Sequence, residues 1–158
     1  MNKILILTLV LFLSFFSACK KDQGQKITEM DYLIFGHFYG MCQGETCVET
    51  FKLTDQKLYE DETDRYYGPY VFSFRELDNA EFELVKDLID YFPPELLNDT
   101  NSTFGCPDCA DQGGLLVMLS QNGDVKTWRI DQSKAAVPQY LHAFMDSVNV
   151  SISLLSNE

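Results

Sequence analysis

Leu115-Leu116-Val117-Met118-Leu119-Ser120-Gln121-Asn122-Gly123-Asp124-Val125-Lys126-Thr127-Trp128-Arg129-Ile130 is the stretch on which the fold turns. Leu115 to Ser120 is a continuous apolar run of strand length, as expected of a strand buried on both faces. Asn122-Gly123 is the pair that accepts the positive φ values of a type I′ turn. Val125 to Ile130 then returns as the hairpin partner. Asp131-Gln132-Ser133 leads into a helix with Pro138 in its first turn, where a missing N–H costs nothing. Val137, Leu141, Phe144, Met145 and Val148 form the apolar stripe of that helix.

The first half has a similar plan. Asp31 to Tyr39 is rich in aromatic and β-branched residues and reads as a strand ended by Gly40. Val48 to Leu53 and Lys57 to Glu60 are short strands about a turn at Thr54-Asp55-Gln56. Tyr70 to Phe74 is expected as a further strand after an acidic loop, Glu60 to Gly68. Asp78 with Glu81 three residues on makes a capping box. Phe82, Val85, Leu88, Ile89 and Phe92 share one face at helical spacing, and Pro93-Pro94 stops the helix. Residues 98–113 read as a loop.

The order is strands, helix, hairpin, helix. The expected class is α+β, a mainly antiparallel sheet with two amphipathic helices packed on one face. Residues 31–158 are read as a single globular domain, and a chain of this size buries roughly 68% of its unfolded surface.

The chain has 158 residues, with 46% hydrophobic and 23% charged side chains; 12 Lys and Arg stand against 24 Asp and Glu, a net charge of -12. That balance excludes a nucleic-acid binder, which needs a basic face, and disfavours docking on anionic headgroups. Residues 1–18 read as a signal peptide: a basic start at Lys3, an apolar run from Ile4 to Phe16, then Ser17 and Ala18. The run is shorter than the about 20 residues a membrane span needs. Phe16-Ser17-Ala18-Cys19 resembles the bacterial lipobox, with Phe16 where Leu is usual, and the resemblance implies acylation of Cys19. Residues 19–30 would be a flexible tether. The mature chain then carries 11 basic and 24 acidic side chains, and acyl chains at about 0.8 kcal/mol per buried methylene hold it on the membrane. Lys20 stands where enteric bacteria place the Asp that retains lipoproteins at the inner membrane, so the expected address is the outer membrane.

Cys42, Cys47, Cys106 and Cys109 remain in the domain. Three readings fit them: two disulfides, expected of an even thiol count outside the cytoplasm, with three connectivities open; a four-thiolate zinc cage; or a redox pair at Cys106-Pro107-Asp108-Cys109. The redox reading lacks the helix N-terminus that lowers a thiol pKa, and zinc suits the compartment poorly. Disulfides are the expectation, with no metal and no cofactor.

Other chemistry is sparse. His37 and His142 have no nucleophile motif to pair with, and the chain lacks a Gly-x-Ser-x-Gly elbow, a His-Glu-x-x-His helix, a phosphate loop and a dinucleotide fingerprint. Glu60, Asp61, Glu62 and Asp64 lack the spacing of a calcium loop and read as a solvated acidic turn. Tyr66, Tyr67 and Tyr70, in Tyr66-Tyr67-Gly68-Pro69-Tyr70, are a candidate binding surface, because loop tyrosines make amphipathic contacts with sugar or protein.

Phe35-Gly36-His37-Phe38-Tyr39-Gly40-Met41-Cys42, Phe82-Glu83-Leu84-Val85-Lys86-Asp87-Leu88, Trp128-Arg129-Ile130-Asp131-Gln132 and Val137-Pro138-Gln139-Tyr140-Leu141-His142, with the Cys19 start, resemble small lipoproteins of Bacteroidetes. Cys19-Lys20-Lys21-Asp22 is similar to part of their surface-export signal. The resemblance implies a location and one domain, and no activity. The expected function is a non-enzymatic, lipid-anchored envelope module binding a protein or glycan through its loops. The alternative is a periplasmic or surface hydrolase built on scattered carboxylates and His37. A deep pocket gathering His37 with a carboxylate would favour the hydrolase, and a shallow face or aromatic patch the binder.

Overall fold

The computed structural model describes residues 30–42, 45–63, 65 and 69–156. The hairpin forms where the sequence places it: β6 (Gly114–Gln121) pairs antiparallel with β7 (Asp124–Asp131). Asn122 and Gly123 both have positive φ, 53° and 83°, as a type I′ turn requires. The first strand, β1 (Tyr32–Phe38), lies between β6 and β2 (Val48–Leu53), antiparallel to each. β3 (Leu58–Asp61) and β4 (Phe74–Glu76) extend the sheet beyond β2. β5 (Thr103–Phe104) adds to the far edge, parallel to β7. The order across the sheet is β4-β3-β2-β1-β6-β7-β5. The class is therefore α+β with a mainly antiparallel sheet.

The pleat divides the side chains. Leu33 and Phe35, with Phe51 and Leu53, Leu115, Val117 and Leu119, and Trp128 and Ile130, belong to one buried cluster. The same cluster contains Val85, Leu88 and Phe92, and Phe144, Met145, Val148 and Ile152. Residues of opposite parity, Phe38, Val48 and Leu116, form a second, smaller cluster against which Phe72 and Met118 pack. The two apolar faces explain why β1 and β6 read as near-continuous hydrophobic runs.

α1 (Asn79–Val85) carries the capping box: Asp78 accepts from the amides of Ala80 and Glu81, and Glu81 accepts the Asp78 amide. The apolar spacing predicts one helix to Phe92, but α-geometry stops at Val85 and residues Lys86–Tyr91 continue as a 3₁₀ helix. The tightened turns end at Phe92, whose extended backbone is the one a following proline imposes. α2 (Glu95–Asn98) is one turn after the two prolines, and β5 gives regular structure to part of the 98–113 stretch expected as loop. After 3₁₀ turns at Lys134–Ala136 and Gln139–Leu141, α3 runs His142–Leu155. Pro138 caps the 3₁₀ turn rather than opening the α-helix.

The strand expected at Tyr70–Phe74 is a correction. Only Phe74–Glu76 pairs as strand. The Ser73 amide, instead of a ladder carbonyl, meets the carboxylate of Asp61 at 2.6 Å.

Candidate functional site

The cysteines pair within their own motifs. Cys42 is bonded to Cys47 and Cys106 to Cys109, so of the three connectivities the local one holds. Paired so, the sulfurs offer no thiolate to a zinc cage. Among the described residues no group of three His, Cys, Asp or Glu side chains is placed to hold a metal ion. Both disulfides sit where β1 ends and β6 begins. Asp108, between Cys106 and Cys109, accepts the amides of Gly40 at 2.8 Å and Gly113 at 3.0 Å.

At that same end of the sheet, the minor cluster opens into a hollow bordered by Phe38, Val48, Leu116, Phe72 and Arg129. Its free volume is about 20 Å³, enough for one water. Arg129 projects from β7 over the Phe38 ring, 4.1 Å from its centroid, a cation–π contact. Phe38 and Arg129 are brought together by β6, since Leu116 is the register partner of Arg129 and Gly114 that of Phe38.

Between β3 and β4, Thr63, Arg65 and Tyr70 to Phe72 also border this hollow. The anchor of this segment is Asp61, the last residue of β3. The acidic run was expected to be solvated; Asp61 is instead 3% exposed. It accepts the Ser73 amide on one oxygen and the Thr63 hydroxyl on the other, both at 2.6 Å. The Glu62 amide also bonds the Ser73 carbonyl at 3.0 Å. These bonds turn 70–73 back along β3 and present three rings in a ladder. Tyr70 and Phe72 stack with centroids 6.0 Å apart at 11°, and Phe72 and Phe74 at 5.1 Å and 29°. Phe72 is half-buried, while Tyr70 and Val71 are exposed. Lys52 lies against the end of the ladder, 4.5 Å from the Phe74 centroid.

Of the residues singled out from sequence, Tyr70 is exposed. Tyr66 and Tyr67 lie outside the described residues, as do Cys19 and the rest of 1–29, where a signal peptide and tether are expected. His37 borders the hollow, and its Nε2 donates to the Thr46 carbonyl at 3.0 Å. His142 is likewise engaged, its Nε2 donating to the Lys134 carbonyl at 2.9 Å. Neither histidine is hydrogen-bonded to a carboxylate in these contacts.

Three carboxylates that sequence reasoning passed over turn out to organise the domain. Asp131, 3% exposed, accepts the amides of Cys106 and Ser133 and the side chain of Gln112. Burial pushes its carboxyl up, but these donors outweigh burial and hold it below the usual range. Asp31 accepts the Gly123 amide and the Ser120 hydroxyl, and these two bonds lower its carboxyl. Asp99 accepts the Asn101 amide and the Tyr140 hydroxyl, which lower it too. The Asp131 to Ser133 spacing is an Asx-turn signal readable from sequence; the partners 25 or more residues away are not.

No helix among the described residues is long and apolar enough to cross a membrane. Compared with protein-family models, with curated proteins and with solved structures, the chain matches none.

Proposed function

We propose that this protein is a lipid-anchored binding module of the cell envelope, held at the outer membrane by an acylated Cys19, and that it engages a protein or glycan partner through the ring ladder headed by Tyr70. In this reading two amphipathic helices cover one face of the sheet, leaving the opposite face and its overlying loop for the partner. The observation that carries it is the Tyr70–Phe72–Phe74 ladder, with Tyr70 and Val71 exposed on a loop buckled down by buried Asp61. A rigid platform of rings ending in an exposed tyrosine suits binding, because its contact surface is ordered before the partner arrives.

The position supports the same reading. The tether enters at Asp31, and β1 runs from there toward the ladder end over about 20 Å of strand. An anchored molecule would therefore carry its ladder away from the attachment point. The hydrolase alternative finds less support. Its would-be pocket at His37 has room for one water, and the nearby Asp61 already accepts two hydrogen bonds.

The test is native mass spectrometry of the full chain extracted from membranes of expressing cells, compared with Tyr70→Ser. A retained partner or glycan that the variant loses, with the melting temperature unchanged, supports the reading. A partner retained equally by the variant overturns the role of the ladder, and an unacylated mature mass overturns the anchor.

A further inference from the structure

Of the eight large apolar side chains exposed among the described residues, four line one groove. Leu84 and Tyr91, on α1 and the 3₁₀ turns after it, are 46% and 56% exposed; Val150 and Leu154 on α3 are 59% and 43% exposed. Leu84 and Tyr91 border one side of the groove, and Val150 and Leu154, one α-helical turn apart, the other. Between these two rails the floor is Val85 and Leu88, both buried, with Ser147 and Ser151. The hollow measures about 370 Å³. None of these four side chains is needed to fill the core, whose α3 stripe is Phe144, Met145, Val148, Ile152 and Leu155.

The lining of the groove carries two carboxylates, Asp87 and Asp146, and no Lys or Arg, and the segment that supplies one of its walls is acidic. From Asp78 to Glu95 the chain has six acidic residues (Asp78, Glu81, Glu83, Asp87, Asp90, Glu95) and one basic, Lys86. α3 contributes Asp146 and no Lys or Arg. Lys86 is already bridged to Glu83 at 2.7 Å, and Lys134 to Asp146 at 2.6 Å. A second copy of this chain would set acid against acid, and an anionic lipid surface would be repelled in the same way. Two facing apolar rails, with small serines on the floor and carboxylates at the rim, complement an amphipathic helix with an apolar stripe and basic flanks.

We propose that the groove between the 84–91 segment and α3 is a docking site for a cationic amphipathic helix of a partner protein. This surface is separate from the ring ladder and stands or falls independently of it. The helix lays apolar side chains at i, i+3, i+4 and i+7 between the rails, and its Lys or Arg flanks meet Asp87 and, in competition with Lys134, Asp146.

The test uses the full chain and three synthetic peptides, each about 14 residues or roughly 21 Å long as helices. One is a Leu/Lys peptide with an apolar stripe, the second a Leu/Lys peptide of the same composition with the stripe scrambled, and the third a Leu/Glu stripe peptide. Fluorescence anisotropy should show binding of the first alone. The double variant Val150→Lys with Leu154→Lys should weaken it about tenfold or more, as loss of a central apolar anchor does. Leu84→Lys with Tyr91→Lys repeats the test from the facing wall, and thermal melting identifies any variant that fails to fold. Equal binding of the scrambled or Leu/Glu peptide overturns the proposal. So does stripe-peptide binding that folded variants of both walls retain, or a dimer in sedimentation that the wall variants dissociate.

Discussion

The carboxylate of Asp108 accepts the backbone amide of Gly40 at 2.8 Å, joining residues 68 apart in sequence. Its other oxygen accepts the Gly113 amide, so one side chain ties the loop after β1 to the loop before β6. Asp108 has a φ of 63°, a backbone that Asp tolerates better than most residues. Asp108→Ala leaves two amides without their acceptor and keeps the strained backbone. A loss of about 1–3 kcal/mol is expected in urea unfolding. Asp108→Asn, which keeps one acceptor oxygen, should lose less.

The disulfides fasten the same end of the sheet with comparable strength. Cys42 and Cys47 are 5 residues apart and Cys106 and Cys109 are 3 apart. Each closes a short loop, and loop-closure entropy assigns such a bond about 2 kcal/mol. Cys42→Ser with Cys47→Ser should fold and lose about that amount. A metal chelator should leave the midpoint of the parent protein unmoved. A drop on chelation would mean a metal is bound where the sulfurs are paired here.

Acid should unfold the protein through carboxylates whose values folding lowers. Asp31 is lowered by the Gly123 amide and Ser120 hydroxyl, Asp99 by the Asn101 amide and Tyr140 hydroxyl. Asp131 is lowered by the Ser133 and Cys106 amides against the opposing effect of burial. Each folded carboxyl titrates below its unfolded value of about 3.9, so its contribution is present above that pH and is lost as pH falls through the folded value. The urea midpoint should hold from neutrality down to about pH 5 and fall below about pH 4. Asp131→Asn should lower the midpoint at pH 7 and flatten the acid limb. An unaltered limb in that variant would remove Asp131 from the account.

The parts of the fold legible in sequence are those that repeat a local signal. The 114–131 hairpin shows it in its Asn-Gly turn, and α1 in its capping box, since both depend on residues within a few positions. β5 has only two residues, too few for an alternation, and exists because β7 offers it an edge. Asp61 looked like one carboxylate in an exposed run because its partner, Ser73, lies 12 residues on and carries no sequence mark. Tyr70 stood out in the sequence as a loop tyrosine. The ladder that orders it was not legible, since Tyr70 to Phe74 has strand composition while Asp61 intercepts the Ser73 amide.

Gly36 tests the packing of the central strand. A Cβ there would lie 2.2 Å from the Glu49 carbonyl oxygen and 2.9 Å from the Thr50 Cα. Both are backbone, so β1 and β2 would have to part. Gly36→Ala should cost about 1–3 kcal/mol, as overpacking does. Gly123, with a φ of 83° and open space around its Cα, is the control. Gly123→Ala should lose about 1–2 kcal/mol from backbone conformation alone.

Tyr70 and Phe72 separate the proposed binding surface from the packing beneath it. They stack on each other, but Phe72 packs on Phe38, Val48 and Leu116, whereas Tyr70 is exposed. Phe72→Ala removes a half-buried ring from the minor cluster and should cost about 2 kcal/mol, less than the 3–5 of a fully buried ring. Tyr70→Ser should stay within about 0.5 kcal/mol of the parent, as surface changes do. Thermal melting of the two variants decides the matter. A large loss for Tyr70→Ser would make the tyrosine part of the packing that closes the loop, and the platform would then begin at Val71 and Phe72 instead.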